Sequence, residues 1–417
     1  MNETLAKKVG EFCSEVLARV QELNKEGRLI GAREALSRKV IQKMKETGVY
    51  SELREQILSK VSIRGITEIS VNWWLEILTR VVLSESIEKG AENINVDSLI
   101  RAVVDDVADN PTQVTITTYI SGVKVNIERV KLEEGVWLRK PTNGDLEHFL
   151  SSPMPTPDML TASGVLEIVT TQKIQNGISR MPKTYIMLLL LFRKGSVREV
   201  ATYWRANSIF RFPWGGEAGT TPPPISTPNE EFLFNEEDED RFIKFAKRLR
   251  SRLPIDEKSG DLLVSDYRGI SIARYQDAIL KNERDINRIS YAIMGLEALF
   301  LRPGENAELK LRLSLRVSKF MHIITGDNAV DVFNTLNEAY DIRSKFVHGS
   351  TQRKEGTDLM IILDKVLNYL RKSIVVFLSF ENKGKDKIIE LLDDCILDPN
   401  AESELQGLLS DSLELIN

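Results

Sequence analysis

The spacing of apolar residues changes twice along this chain of 417 residues. Toward both ends, apolar residues recur every three or four positions, which is typical of helices with one buried face. In the middle they alternate with polar residues, which is typical of strands. The pattern predicts a multidomain α+β protein. Its predicted parts are a helical N-terminal region (1–111), a central, mostly antiparallel β-sheet domain (112–212), a Pro/Gly-rich linker (213–235) and an all-α C-terminal helical bundle (236–417).

Two helical stripes stand out in the N-terminal region. Trp73 and Trp74 accompany the second stripe and are predicted to be core residues rather than a stacking platform for bases. Asn95 and Asp97 are predicted to cap a last helix, because short polar side chains accept hydrogen bonds from the first free N–H groups. The stripes consist of Val9, Phe12, Val16, Val20 and Leu23, and of Val71, Trp74, Ile77, Leu78 and Val81.

Six segments of the central part are predicted to be strands. Most of them alternate apolar with polar residues, so that one face of each strand is buried. The run Tyr185–Phe192 is apolar at every position, and it is predicted to be a strand buried on both faces. Glu133-Glu134-Gly135 is typical of a hairpin turn. The predicted strands are 114–120, 122–128, 136–139, 164–171, 185–192 and 199–205.

The segment 213–235 is predicted to be a linker. It contains a stretch rich in glycine and threonine that ends in Pro222-Pro223-Pro224. Three consecutive prolines favour an extended chain, and the small residues before them cannot build a core.

Four main helices are predicted in the C-terminal part, and short turns between them indicate an up-and-down bundle. One long helix is predicted to run from Arg274 to Leu301 without interruption and to stop at Pro303-Gly304. The next helix is predicted to end at Gly326, since glycine readily adopts the left-handed conformation that terminates helices. Two shorter acidic helices are predicted to follow.

The segment Tyr340–Gly349, with the sequence YDIRSKFVHG, holds an arginine and a histidine five positions apart. The Arg343 guanidinium is planar and permanently charged, and its N–H groups can bind two oxygens of a phosphate at once. His348 is one of only three histidines, and its side chain can transfer protons near neutral pH. Gly349 is predicted to end the helix, which would allow the two side chains to converge. The alternative is a solvent-exposed arginine and a histidine at the end of the helix that interacts favourably with the negative end of the helix dipole.

Three segments of the C-terminal part follow one another in a characteristic order: 292–301 (AIMGLEALFL), 308–317 (ELKLRLSLRV) and 340–349. In this order they resemble the HEPN superfamily, and within it the Apea-like HEPN branch, over about residues 265–380. The resemblance implies a helical bundle that often dimerises and often acts as a metal-independent endoribonuclease. It also implies that Arg343 and His348 form the site. Many active members carry Asn, Asp or His directly after the arginine, whereas this chain has Ser344.

The reaction expected from this pair is cleavage of RNA by its own 2′-OH group. His348 would transfer the proton, and Arg343 would stabilise charge on the phosphoryl oxygens. One motif supplies only one side chain that titrates near neutral pH, whereas the reaction needs both a base and an acid. A homodimer through the C-terminal bundle is therefore expected, because its second copy of His348 would supply the other group. Glu297 is a lone carboxylate on an apolar helix face and is expected to pair with Arg312 or Arg343. The residues expected to support the site are Ser344, Glu297, Tyr340 and Lys345.

Composition limits the remaining function classes. The net charge of −5 gives no general attraction to nucleic acid, but 302–354 contains nine Lys/Arg against six Asp/Glu. RNA or a nucleotide is therefore expected at the motif rather than at 381–417, which contains three Lys/Arg against ten Asp/Glu. Two distant cysteines and the absence of a carboxylate cluster near the motif predict no disulfide, no metal and no cofactor.

The expected location is cytoplasmic, because the N-terminal residues lack a signal-peptide core and the longest apolar run is too short to span a membrane. An unidentified protein partner is possible for residues 1–212. Two alternatives to the nuclease stay open: a non-catalytic HEPN module that binds RNA or nucleotide, and a dimerisation scaffold.

Overall fold

The computed structural model describes the chain in twelve stretches. They are residues 3–25, 33–64, 66–145, 161–172, 180–206, 216–219, 230–256, 260–281, 283–347, 358–380, 384–395 and 398–416. The described chain is mainly helical, with helices toward both ends and a small sheet in the middle, which confirms the predicted α+β class. None of the described helices is long and apolar enough to cross a membrane.

The chain divides into two compact units. The first comprises Met1–Ile116, Val169–Asn176 and Tyr203–Glu217. The second comprises Thr117–Ile168, Gly177–Thr202 and Ala218–Asn417, and it contains all of the predicted site residues.

The N-terminal helices bury both predicted stripes in one core. Asn95 accepts a hydrogen bond from the Ser98 N–H at 3.0 Å, which confirms the predicted cap. The core prediction is wrong for Trp73, which is 54% exposed, whereas Trp74 packs against the core. Successive side chains on a helix point about 100° apart, so the two rings cannot face the same core. The helices are α1 (Glu3–Lys25), α2 (Arg33–Lys45), α3 (Gly48–Val61), α4 (Glu68–Lys89) and α5 (Val96–Ala108).

The described strands form two sheets. Six strands lie in the order β3-β4-β5-β1-β6-β7, in which β3, β4 and β5 pair antiparallel as predicted. The turn between β3 and β4 lies at the predicted position, and Gly135 adopts a φ of 77° there. A separate pair, β2 and β8, is parallel. The strands are β1 (Thr112–Ser121), β2 (Val123–Val125), β3 (Arg129–Glu133), β4 (Val136–Arg139), β5 (Gly164–Gln172), β6 (Arg198–Ala206), β7 (Gly216–Gly219) and β8 (Phe232–Phe234).

The run Tyr185–Phe192 is helical, so the prediction of a strand there is wrong. It forms most of α6 (Arg180–Phe192), and its side chains are buried all round the helix. Burial on every side leaves no hydrophobic period, so periodicity cannot separate a buried helix from a buried strand. Local preference decides instead, because leucine and methionine favour helices and Ile186 is the only β-branched residue in the run.

The segment predicted to be a linker contains structured residues. Both β7 and β8 lie within 213–235. Phe232 and Phe234 of β8 are buried, and the Phe234 ring packs 6.2 Å from the Phe192 ring and 5.7 Å from the Phe242 ring. The end of the segment therefore belongs to the folded core of the second unit. The prolines Pro222-Pro223-Pro224 lie outside the described residues.

The C-terminal helices pack around one central member, the helix Asp285–Phe300. It contacts at least five of the other described helices, three of them extensively, and the Phe300, Phe320 and Phe377 rings meet in the core at 5.1–5.7 Å between centroids. Gly326 ends the predicted helix with a φ of 74°. The helices are α7 (Glu239–Leu249), α8 (Tyr267–Leu280), α9 (Asp285–Phe300), α10 (Leu309–Thr325), α11 (Ala329–Val347), α12 (Leu359–Ser379), α13 (Gly384–Asp394) and α14 (Pro399–Leu413). The central helix α9 packs against α8, α11 and α12.

The helix predicted to run unbroken from Arg274 to Leu301 is two helices, so that prediction is wrong. Lys281 and Arg284 are extended, and they separate α8 from α9. The interruption lets α8 and α9 pack against each other, which two halves of one straight helix cannot do. Arg288 then donates from Nε to the Ala278 carbonyl at 2.7 Å and so caps the end of α8.

Candidate functional site

Helix α11 carries the predicted residues Tyr340 and Arg343 near its C-terminal end. Its apolar face, with Val332, Leu336 and Ala339 buried, packs into the bundle. Tyr340 and Arg343 lie one turn apart, so they share a neighbouring part of the helix surface. The Arg343 Cζ atom lies 5.4 Å from the centroid of the Tyr340 ring, within the range of a cation–π interaction.

Arg343 forms an ion pair with Glu297 of α9. The Arg343 Nη1 and Glu297 Oε1 atoms are 3.0 Å apart. This confirms the prediction that Glu297 has an arginine partner, and it selects Arg343 from the two candidates. Arg312, the other candidate, lies 3.3 Å from Glu305 instead.

The Glu297 carboxylate is held in an environment that does not favour its charge. Burial raises the pKa of Glu297 above its ordinary value, although the Arg343 guanidinium and a hydrogen bond with Tyr340 act in the opposite direction. Burial likewise raises the pKa of Tyr340. The Arg343 guanidinium and the Tyr340 hydroxyl thus offset part of the cost of burying the Glu297 carboxylate, and the ion pair holds Arg343 in place.

The ion pair faces a cavity of about 450 Å³. The Arg343 side chain is 24% exposed and the Glu297 side chain 18% exposed, so the pair is accessible rather than sealed in the core. Arginine also keeps further N–H groups beyond Nη1 that can bind an anion. The cavity is lined by Tyr267, Ile270, Glu297, Ala298, Leu301, Arg302, Pro303, Glu305, Leu309, Tyr340, Arg343 and Lys385.

Tyr267 and Lys385 line this cavity and were missed by the sequence analysis. Tyr267 begins α8, and Lys385 lies in the first turn of α13. The Lys385 Nζ donates to the Ala298 carbonyl at 2.8 Å and lies 5.1 Å from the centroid of the Tyr267 ring. No local motif marks either residue, and Lys385 lies in a segment that the charge count identified as acidic. Only the packing of α8 and α13 beside α9 brings them to the cavity.

A buried arginine supports the cavity wall. Arg316 is 2% exposed and donates from Nη1 and Nη2 to the two Glu305 carboxylate oxygens, each at 2.8 Å. It also donates to Asp393 at 2.7 and 2.9 Å and to the Phe300 carbonyl at 2.8 Å. Glu305 accepts a further hydrogen bond from the Arg302 N–H at 2.9 Å. The network therefore ties the α9–α10 loop, which carries Arg302 and Glu305, to α10 and α13.

The other predicted site residues are placed only in part. Ser344 is half-buried on α11. Lys345 belongs to the same helix, but its side chain lies outside the described residues, as do His348 and Gly349 entirely. The convergence of Arg343 and His348 therefore stays a prediction. Among the described stretches, no group of three or more His, Cys, Asp or Glu side chains is arranged to hold a metal ion.

Comparisons of the chain with protein-family models, with curated proteins and with solved structures find no match. Its function must therefore be inferred from its own residues.

Proposed function

We propose that this chain is a metal-independent endoribonuclease of the HEPN type, with Arg343 and His348 as its catalytic residues. The observation that carries the proposal is the position of Arg343. Its guanidinium lines an open cavity, is oriented by Glu297 and Tyr340, and stands near the end of the helix that leads to His348. Along the chain, this cation is followed five residues later by the only side chain of the motif that titrates near neutral pH.

The proposed reaction needs no group beyond the substrate and the protein. The 2′-oxygen of the RNA attacks the neighbouring phosphorus and loses its proton to a base. The bond from phosphorus to the 5′-oxygen breaks, and an acid delivers a proton to that oxygen. The products are a 2′,3′-cyclic phosphate and a free 5′-OH. His348 serves as base or acid, and Arg343 binds the phosphoryl oxygens as their negative charge grows.

A wild-type assay tests the proposal. Purified protein is expected to cleave single-stranded RNA in the presence of EDTA, to leave 2′,3′-cyclic phosphate ends, and to spare all-DNA oligonucleotides, because DNA lacks the 2′-OH. Product ends are identified by mass spectrometry. RNA that stays intact with a protein confirmed to be dimeric would contradict the enzyme and favour a non-catalytic RNA-binding module. Ser344 favours that second candidate, because its hydroxyl can contact a phosphate but cannot titrate.

The proposed reaction also requires a dimer, and the start of α12 offers an apolar surface for it. Met360 is 68% exposed and Ile361 is 55% exposed. The Asp358 side chain accepts hydrogen bonds from the N–H groups of both residues, which fixes the first turn of the helix. This turn follows soon after His348 in the chain. In the proposed dimer, a second copy buries these side chains across a two-fold axis, so that the same surface of each copy is in contact.

We expect Ile361→Asp to convert the dimer to a monomer and to abolish RNA cleavage, because a charge would be buried in the interface. Light scattering at micromolar concentration measures the mass. Ile63→Asp is the matched control, since Ile63 is 91% exposed in the N-terminal unit, and it should leave the dimer intact. Wild-type protein that is monomeric at this concentration would remove the argument for a composite site.

A further inference from the structure

Lys385 is a half-buried cation of helix α13. Among the described residues it forms no ion pair, whereas Lys387, on the same helix, lies 3.1 Å from Glu404. The nearest partners of its ammonium group are the Ala298 carbonyl and the Tyr267 ring. Burial lowers the pKa of Lys385, and the nearby Asp386 and Glu305 carboxylates offset only part of that effect. Its ammonium has three N–H donors, and only one is used for Ala298.

Tyr267 lines the same cavity beside Lys385. Its hydroxyl is buried and has no hydrogen-bond partner among the described residues. Its ring is held in place by the Phe377 ring, which meets it edge-on with centroids 6.3 Å apart. A buried hydroxyl without a partner costs free energy, but it is too enclosed to contact a ligand in the cavity, so Tyr267 contributes to the wall with its ring.

The cavity wall carries three cationic side chains, Arg302, Arg343 and Lys385, of which two are already paired. Arg343 forms an ion pair with Glu297, and Arg302 lies 3.8 Å from Asp393. The other acidic residue of the wall, Glu305, forms an ion pair with Arg316. The wall also includes the apolar residues Ile270, Leu301 and Leu309. Its volume of about 450 Å³ lies within the range of pockets for small organic ligands. A ligand that matches this lining has an apolar, planar body and anionic groups on both sides of it.

We propose that Lys385 binds a second phosphate of the RNA strand whose scissile phosphate contacts Arg343, with one nucleoside seated against the apolar residues of the same cavity. This inference rests on the proposed function, and it names the substrate class as single-stranded RNA. A base inside a duplex is stacked and paired, and it cannot enter such a cavity unless it leaves the helix. Lys385 is then a positioning residue, because it fixes the register of the strand rather than reacting with it.

The salt dependence of RNA binding tests the proposal. Each phosphate contact on a single strand contributes about 0.7 to the slope of log K against log salt concentration. In the full chain carrying His348→Ala, which prevents cleavage, adding Lys385→Gln is expected to reduce that slope by about 0.7. Fluorescence anisotropy of a labelled single-stranded RNA oligonucleotide measures it. Lys385→Arg should retain the slope. Lys387→Gln is the matched control and should leave it unchanged, because that ammonium is exposed and paired with Glu404.

Two further measurements make the outcome specific. Tyr267→Phe should leave both RNA binding and the melting temperature unchanged, since it removes an enclosed hydroxyl that has no partner among the described residues. Duplex RNA should show the same slope with and without Lys385→Gln. Circular dichroism confirms that each variant is folded, which matters because Lys385 contacts Ala298.

An unchanged slope in folded Lys385→Gln would overturn the inference. An equal reduction of the slope in Lys387→Gln would also overturn it, because it would indicate a general attraction between RNA and the cations of this helix. The cleavage assay separates this result from the proposed function. Cleavage by wild-type protein with an unchanged slope would leave the nuclease without this phosphate site. A reduced slope without cleavage would support RNA binding at Lys385 and contradict the nuclease.

Discussion

Replacement of His348 by alanine is expected to reduce RNA cleavage by roughly a hundred- to ten-thousand-fold, the usual contribution of a positioned general acid or base. RNA binding should stay nearly unchanged, because binding depends mainly on cationic contacts to phosphate. Arg343→Ala should lower both, since its guanidinium contacts phosphate before and during the reaction. Cleavage rates are measured with excess enzyme over a labelled RNA, and affinities by anisotropy.

His322 provides a matched control for this experiment. It is an exposed histidine of α10, and its Nδ1 lies 3.0 Å from the Asp327 carbonyl oxygen, away from the residues that line the cavity. His322→Ala should leave cleavage unchanged. Cleavage that persists in His348→Ala would show that the reacting site lies elsewhere in the preparation. Equal losses in both variants would indicate a general effect on folding rather than a role for His348.

Replacement of Arg316 by methionine is expected to destabilise the protein by about 3 kcal/mol, the lower end of the range for breaking a buried ion pair. Methionine fills much of the same space but leaves Glu305 and Asp393 without their cation and the Phe300 carbonyl without its donor. Urea unfolding at pH 7 measures the loss. Arg312→Met is the control, because Arg312 is 43% exposed and its contact with Glu305 should contribute no more than about 1 kcal/mol. Equal effects of the two changes would contradict a special role for Arg316.

The same network predicts how stability depends on pH. Hydrogen bonds from Arg316 lower the pKa of Glu305 to about 2. Because the pKa is lower in the folded chain than in the unfolded chain, ionised Glu305 stabilises the fold above its ordinary pKa of about 4.3. That contribution is lost as the pH falls toward 2. In Arg316→Met, Glu305 no longer has the cation that lowers its pKa, so its protonation should cost the variant less stability. The difference in unfolding free energy between wild type and variant should therefore become smaller as the pH falls from 5 to 3.

Several features follow from the sequence alone because they depend on local or periodic rules. The stripe from Val9 to Leu23 repeats at the helical period, so it specifies a helix and its buried face. Asn95 and Gly326 act on backbone groups within a few residues, so their positions predict a helix start and a helix end. An arginine partner was expected for Glu297, because burying an unpaired carboxylate costs free energy whichever element the helix packs against.

Tertiary structure decided the features that depend on neighbours distant in the chain. The burial of Tyr185–Phe192 on all sides is set by its neighbours in the fold, and it removes the hydrophobic period that would have identified the helix α6. The break before Asp285 has no glycine or proline to mark it, and it exists because two shorter helices can bury their faces against each other. Tyr267 and Lys385 carry no motif, and packing alone brings them to the cavity of Arg343. Periodicity identifies which face of an element is buried, but the residues that meet there are selected by the three-dimensional arrangement of the elements.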